Sequence, residues 1–398
     1  MNDFFGEPEA SQNFPLEDNQ ESSTRGEGSA DLLFGVLADR ALTCAVAQNR
    51  IASTYLFYGP EGVGKWKAAL RFAQFLNCSR RDIRSALTGA CGNCPSCLQI
   101  TAGTFPDLSL AFPMPSAKNQ TEKIENLQYF KESKRANPYR IVSWDKQAGI
   151  SIETAREIKK ELSRTISVGS YRLAIFYQIE KMRAESLDAL LRMIEEPPAQ
   201  TVIILISNQP ESLAATISSR CQKVRFSPIP LEKLERYLSE QADVPSKRAK
   251  LLARLAQGSP GEAYRLNQSS DKSDSEYTDR DLSWLCFKTC LLEKPSTALD
   301  ITMRSLNLNN RSEAEKTLES WSGYLRDLLM VRLGTEDLII NIDRLADLRK
   351  LSFGLSLDSS FYALVDTFTT TSKNLRHNVA APLAFASLEI SLHNTLRS

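Results

Sequence analysis

From about residue 31 onward the apolar positions become periodic, and the period switches between that of a helix and that of a buried strand. Leu32, Leu33, Val36, Leu37, Ala41 and Val46 suit a short amphipathic helix. Residues 54–59, TYLFYG, are a compact apolar and aromatic run ending in glycine, which predicts a buried strand. A glycine-rich turn follows, and residues 66–78, WKAALRFAQFLNC, return to helical spacing. The alternation then repeats. ISIETAREIKKELSRT (150–165) predicts a helix with Ser151 and Thr154 as candidate caps, and YRLAIFYQI (171–179) a second buried strand. ESLDALLRMIEEPP (185–198) predicts a helix stopped by Pro197 and Pro198, and TVIILISN (201–208) a third strand. Strands alternating with helices predict an α/β fold with a doubly wound parallel sheet.

Beyond this part the pattern is helical only. Residues 230–267 predict a small helical unit, interrupted by Gly-Ser-Pro-Gly at 258–261. Residues 268–281, QSSDKSDSEYTDRD, are polar and predict a linker. Residues 282–398 carry apolar positions at three- and four-residue spacing throughout, which predicts an all-α C-terminal domain. Within the α/β part (31–229), residues 112–138 hold a polar stretch that predicts an insertion.

Charge distribution adds one element. The 398-residue chain has a net charge of +1, but residues 1–30 hold seven acids against one base, leaving +7 for the remainder. That acidic start, rich in Ser, Gly, Asn and Gln, predicts a disordered tail. It lacks the basic start and apolar core of a signal peptide. No run approaches the roughly 18 apolar residues of a membrane helix. A soluble, cytoplasmic protein is expected.

Cys78, Cys91, Cys94 and Cys97 follow the spacing C-x12-C-x2-C-x2-C. Two overlapping C-x2-C turns present three thiolates from one loop, and Cys78 returns from the end of the preceding helix. Zinc prefers such a closed tetrahedral set in structural sites. No histidine or carboxylate sits among the four, so a catalytic zinc is not expected. Cys44, Cys221, Cys286 and Cys290 are isolated and read as small buried hydrophobes.

The turn after the first strand reads GPEGVGK, residues 59–65. In a working phosphate loop, backbone N–H groups cradle the phosphates, the lysine reaches the β and γ phosphates, and a following hydroxyl holds Mg²⁺. Gly59, Gly62, Gly64 and Lys65 keep the cradle and the cation, which would bind ATP or ADP. Trp66 stands where the hydroxyl belongs. The second strand ends in Gln178 and Ile179 where a hydrolase would place Asp-Glu, and Glu180 reads as a displaced surface charge. Glu195 and Glu196 are adjacent on a helix and do not converge on one substrate.

In that order, YLFYGPEGVGK, the four cysteines, LDALLRMIEEPP, TISSRC and GSPGEA resemble the bacterial clamp-loader family, the gamma/tau and delta-prime subunits of DNA polymerase III. The resemblance is specific from about Leu33 to Leu266 and continues weakly through YLRDLL (324–329) and HNVAAPLAFASLEISL (377–392). It implies an AAA+ module carrying a zinc module (78–97), a helical lid (230–267) and a helical collar (282–398) that oligomerises. Such subunits form a ring that opens the sliding clamp and places it on primed DNA. Gamma-type chains hydrolyse ATP, whereas delta-prime chains are stators with a decayed site. Trp66, Gln178, Ile179 and Gly261, which stands where gamma-type chains carry a lid arginine, are departures of the delta-prime kind. The resemblance also implies that Arg220, in Ser219-Arg220-Cys221, projects at ATP bound by the next subunit. The expected partners are gamma/tau and delta-type subunits, with the clamp and primed DNA reached through the complex. Nucleotide binding at 59–65 is expected to be vestigial. The alternatives are an active gamma/tau-like ATPase and an AAA+ adaptor outside replication.

Overall fold

A computed structural model describes residues 36–48, 50–81, 89–144, 146–240, 244–271, 279–353, 361–377 and 379–397. The acidic segment 1–30 lies outside the described residues.

The α/β part is built from α1 (Val36–Ala47), β1 (Thr54–Tyr58), α2 (Lys65–Asn77), α3 (Pro95–Ala102), β2 (Leu108–Ala111), β3 (Met114–Pro115) and α4 (Gln120–Ala136). It continues with β4 (Ala148–Gly149), α5 (Ile152–Leu162), β5 (Arg172–Tyr177), α6 (Ala184–Glu195), β6 (Thr201–Ser207), α7 (Ala215–Ser218) and β7 (Gln222–Arg225). The main sheet has five parallel strands in the order β2-β5-β6-β1-β7. Every residue of β5 and β6 is buried, as expected of central parallel strands with both faces covered. β3 and β4 form a separate antiparallel pair. Chain order places the turn after β1 at the carboxyl edge of the sheet, between β6 and β7. That is where open α/β sheets bind ligands.

Ser151 caps α5, its hydroxyl accepting the Thr154 N–H at 3.3 Å. α6 ends at Glu195, ahead of Pro197 and Pro198, as the sequence predicts.

Within the polar stretch expected as an insertion lies a seventeen-residue helix, α4, capped by Asn119, whose side chain accepts the Glu122 N–H at 2.8 Å. Its exposed faces are mostly polar, with Ile124 and Tyr129 among the exposed residues, which hides it from a periodicity reading. Its inner face buries Phe130 and Lys134 against the turn after β1. The expected linker is shorter than 268–281. Residues 268–271 extend the helix Pro260–Asp271, and residues 279–281 open the helix Asp279–Leu292. Ser, Asn and Asp sit easily at helix ends, so polar composition alone set the boundary too wide.

Three helices follow the sheet: α8 (Leu231–Glu240), α9 (Ser246–Leu255) and α10 (Pro260–Asp271). Leu234, Leu238, Ala249, Leu252 and Ala263 form their core, which also takes in Tyr139 from the segment after α4. α11 (Asp279–Leu292), α12 (Pro295–Ser305), α13 (Arg311–Arg332), α14 (Leu345–Phe353), α15 (Phe361–Arg376) and α16 (Ala381–Arg397) pack around a separate core centred on Phe287, Trp321, Tyr324, Phe385 and Leu388. Cys286 and Cys290 lie in that core as small hydrophobes, whereas Cys44 is exposed and Cys221 half-buried.

Candidate functional site

The loop after β1 has the backbone of a phosphate cradle. Gly59, Gly62 and Gly64 take φ values of 144°, 72° and 102°. A Cβ on Gly59 would stand 2.0 Å from the Phe226 carbonyl oxygen, so only glycine fits there. Lys65 opens α2, and its ammonium folds back onto its own loop. It donates to the carbonyls of Gly59, at 2.6 Å, and Pro60. Burial holds the Lys65 amine down to about 8, with Glu61 and Glu180 pulling the other way.

The space above the loop is filled by this chain's own side chains. Trp66 is buried and meets the rings of Phe130 and Tyr177 edge-on, at 5.4 and 5.6 Å between centroids. Lys134 enters from α4, donating to the Arg140 carbonyl at 2.6 Å, with its ammonium 4.4 Å from the Tyr177 ring centre. Burial brings the Lys134 amine down to about 7. Lys134 and Lys65 therefore both line one small buried pocket. The cavity left between Gly64, Lys65, Trp66, Lys134 and Tyr139 measures about 10 Å³, roughly the room that one water needs. Replacing Trp66 by Ala would empty much of this packed volume. Trp66→Ala is expected to cost about 3–5 kcal/mol, measured as a lower urea midpoint with an unchanged m-value.

The tip of β5 offers Mg²⁺ no carboxylate in the expected place. Gln178 adopts φ 52° and donates its amide N–H to Glu61 Oε1 at 2.6 Å. Ile179 is buried in the apolar core. Glu180 is not the surface charge its position suggested. One oxygen accepts the Asn208 N–H at 3.1 Å, and the other is buried with no hydrogen-bond partner. The 3-10 turn after β5 rotates Glu180 inward.

The three-helix unit closes on the loop through the start of α10. The Ser259 hydroxyl donates to the Glu61 carbonyl at 2.8 Å and accepts the Glu262 N–H at 3.2 Å, so one side chain caps α10 and ties it to the loop. The Gly261 N–H donates to the Gly62 carbonyl at 3.1 Å. A Cβ on Gly261 would lie 2.3 Å from the Tyr139 carbonyl oxygen and 2.8 Å from Gly62 Cα. No side chain fits at 261 in this arrangement, least of all an arginine.

Arg220 lies elsewhere, on the surface after α7. Its guanidinium donates to the Thr216 carbonyl at 3.0 Å and pairs with Glu195 at 3.1 Å, with 43% of the side chain exposed.

The four sulfurs of Cys78, Cys91, Cys94 and Cys97 lie within 4.8 Å of one another, so the cluster could hold a metal ion. Tetrahedral bonds of about 2.3 Å put thiolates roughly 3.8 Å apart, and Cys78 and Cys94 are 3.9 Å apart. Backbone N–H groups already point at the sulfurs: those of Arg80 and Cys91 at Cys78, both at 3.4 Å, and that of Cys94 at Cys91, at 3.3 Å. Burial alone would raise the Cys94 thiol, but the N–H groups of Cys97 and Ser79 outweigh it and bring it down to about 6. Burial pushes the Cys97 thiol up. Gln74 couples the cluster to α2, donating to the Cys97 carbonyl at 3.0 Å and the Thr101 hydroxyl at 2.7 Å.

Residues 38–230 match the family described as DNA polymerase III, delta subunit. The DNA polymerase III subunit delta' of Pseudomonas aeruginosa is 32% identical over 54% of this chain and 56% of its own length. That of Bacillus subtilis is 26% identical over 75% of this chain and 78% of its own. Over this segment, just under half of its length, the chain is similar to the delta and delta' subunits of DNA polymerase III. The match takes in little more than half of the Pseudomonas subunit. The DNA polymerase III subunit tau of Escherichia coli is 27% identical over 58% of this chain and 31% of its own length. A solved gamma subunit-related protein from Thermotoga maritima aligns with 89% of this chain at 12% identity and a TM-score of 0.44.

Within this chain, the structure brings together Gly59, Gly62, Gly64 and Lys65, and separately the four cysteines. It leaves Arg220 apart from both. Lys134, Tyr177, Phe130 and Ser259 belong to the loop's surroundings and carry no local signal in the sequence. They come from three separate segments, α4, the end of β5 and the start of α10, and meet only once α4 and α10 have packed. No described helix is long and apolar enough to cross a membrane.

Proposed function

We propose that this chain is a delta-prime-type subunit of the DNA polymerase III clamp loader that does not hydrolyse ATP itself and acts on a neighbour's ATP through Arg220. The observation that carries the reading is the joint between Gly261 and Gly62, where α10 is hydrogen-bonded to the phosphate loop by backbone atoms. A nucleotide would need that joint opened and Trp66 and Lys134 displaced. It would then meet neither the loop hydroxyl nor the strand-tip acids that hydrolysis requires. The three-helix unit is on this reading a lid fixed to the AAA+ module, and the C-terminal bundle a collar.

The partners on this reading are gamma/tau-type and delta-type subunits, with the sliding clamp and primed DNA reached through the assembled ring. Zinc is the metal that suits four thiolates with no oxygen or nitrogen ligand. It would fix the loop between α2 and α3 and play no part in the chemistry. Arg220 is exposed, permanently charged and forked, which suits a phosphate presented by another chain. The test is ATP turnover by the isolated full-length chain, against turnover after assembly with gamma/tau-type and delta-type subunits. Negligible turnover alone and full turnover in the assembly are expected. Steady turnover by the isolated chain would remove the reading.

A further inference from the structure

We propose that Glu195 is a positioning residue for Arg220, holding the guanidinium in the orientation in which it meets a neighbour's phosphate; this rests on the trans-acting role proposed above. Glu195 is the last residue of α6, at the carboxyl end of the helix, where the macrodipole disfavours a carboxylate. Glu196 beside it adds a second negative charge. A carboxylate there is stabilised by a cation brought to it, and Arg220 is that cation, at 3.1 Å.

The backbone on both sides of the pair is already fixed. Ile217 of α7 lies in the same apolar cluster as Leu190, Met193 and Ile194 of α6, which locks the two helices together. The Ser219 and Arg220 N–H groups bond back to Ala215 and Ile217, at 2.9 and 3.2 Å. What this frame leaves free is the long arginine side chain, and two contacts fix it. One Nη donates to the Thr216 carbonyl and the other faces Glu195. A guanidinium has five N–H donors, so donors remain on its exposed side for phosphate oxygens. Holding a flexible cation in place before its target arrives removes an ordering cost from the reacting complex. Glu195 of the EEPP stretch, which makes no acid–base pair with Glu196, thereby acquires a role.

The experiment uses the loader reconstituted with wild-type chain, Glu195→Gln, Arg220→Ala and the double variant, with ATP turnover measured as kcat and KM. Glu195→Gln keeps the shape and removes the charge. It is expected to lower kcat about two- to fivefold, as suits a half-exposed pair, with KM for ATP and complex assembly unchanged. In the Arg220→Ala background it is expected to have no further effect. If Arg220→Ala slows turnover and Glu195→Gln does not, Glu195 is only a helix-end surface charge and the proposal fails. A rise in kcat, or an effect of Glu195→Gln that persists without Arg220, overturns it equally. If Arg220→Ala itself changes nothing, the trans-acting reading is what fails.

Discussion

A loader carrying Arg220→Ala in this chain is expected to assemble normally and to hydrolyse ATP slowly at the site that Arg220 faces, by about a hundredfold or more. Arginine fingers supplied in trans contribute roughly 10³–10⁵ in kcat where a single one serves the site. The reason is electrostatic: charge spreads over the γ-phosphoryl oxygens as transfer proceeds, and a fixed guanidinium offsets it without reorganising. The fold gives no competing explanation for a loss. Arg220 is 43% exposed and its partner Glu195 45%, and breaking such a pair costs at most about 1 kcal/mol. Thermal unfolding of the isolated variant should therefore match the wild type within a few degrees. Arg220→Lys should recover little, because an ammonium keeps the charge and loses the fork. Pre-steady-state phosphate release by the reconstituted loader reads the effect. Unchanged release would show that the residue is an ordinary surface arginine.

Removal of the metal is expected to have the largest effect on stability. Native protein should contain one zinc per chain by elemental analysis, and Cys97→Ser should contain none. Structural zinc contributes on the order of 10 kcal/mol to the folding of small thiolate sites. The loss here should spread beyond the cluster. Cys97 is fully buried, and its carbonyl accepts from Gln74 of α2, the helix that begins at Lys65. Loosening the cluster should therefore expose amides along α2 to hydrogen exchange as well as those of α3. Metal-free native protein, or exchange confined to the cysteine loop, would contradict this account.

The three strands and the glycine loop are legible in the sequence because each depends on neighbours within about six positions. Cys91, Cys94 and Cys97 are legible for the same reason, and Cys78 by its place at the end of the preceding helix. What escapes is assembled across distance. α4 is mostly polar, and the side chains that matter on it are one phenylalanine and one lysine, so periodicity marks it as an insertion. Lys134 stands beside Lys65 only because α4 crosses the loop. Gly261 is readable as a missing arginine, but not as a backbone contact with Gly62. Glu180 is displaced in the sequence yet turned inward by a 3-10 turn that no local rule signals. Glu195 is visible as a helix-end acid, while its partner lies twenty-five residues away.

The central claim is that the loop at 59–65 keeps the shape of a nucleotide site while its space is taken by Trp66, Lys134 and the start of α10. The most direct measurement is equilibrium titration of the isolated full-length chain with ATP and ADP, with and without Mg²⁺, up to millimolar concentration, alongside the Lys65→Ala variant. The account predicts no saturable binding, no gain from Mg²⁺ and no difference between the two proteins. Saturable, Mg²⁺-dependent binding that Lys65→Ala abolishes would contradict it.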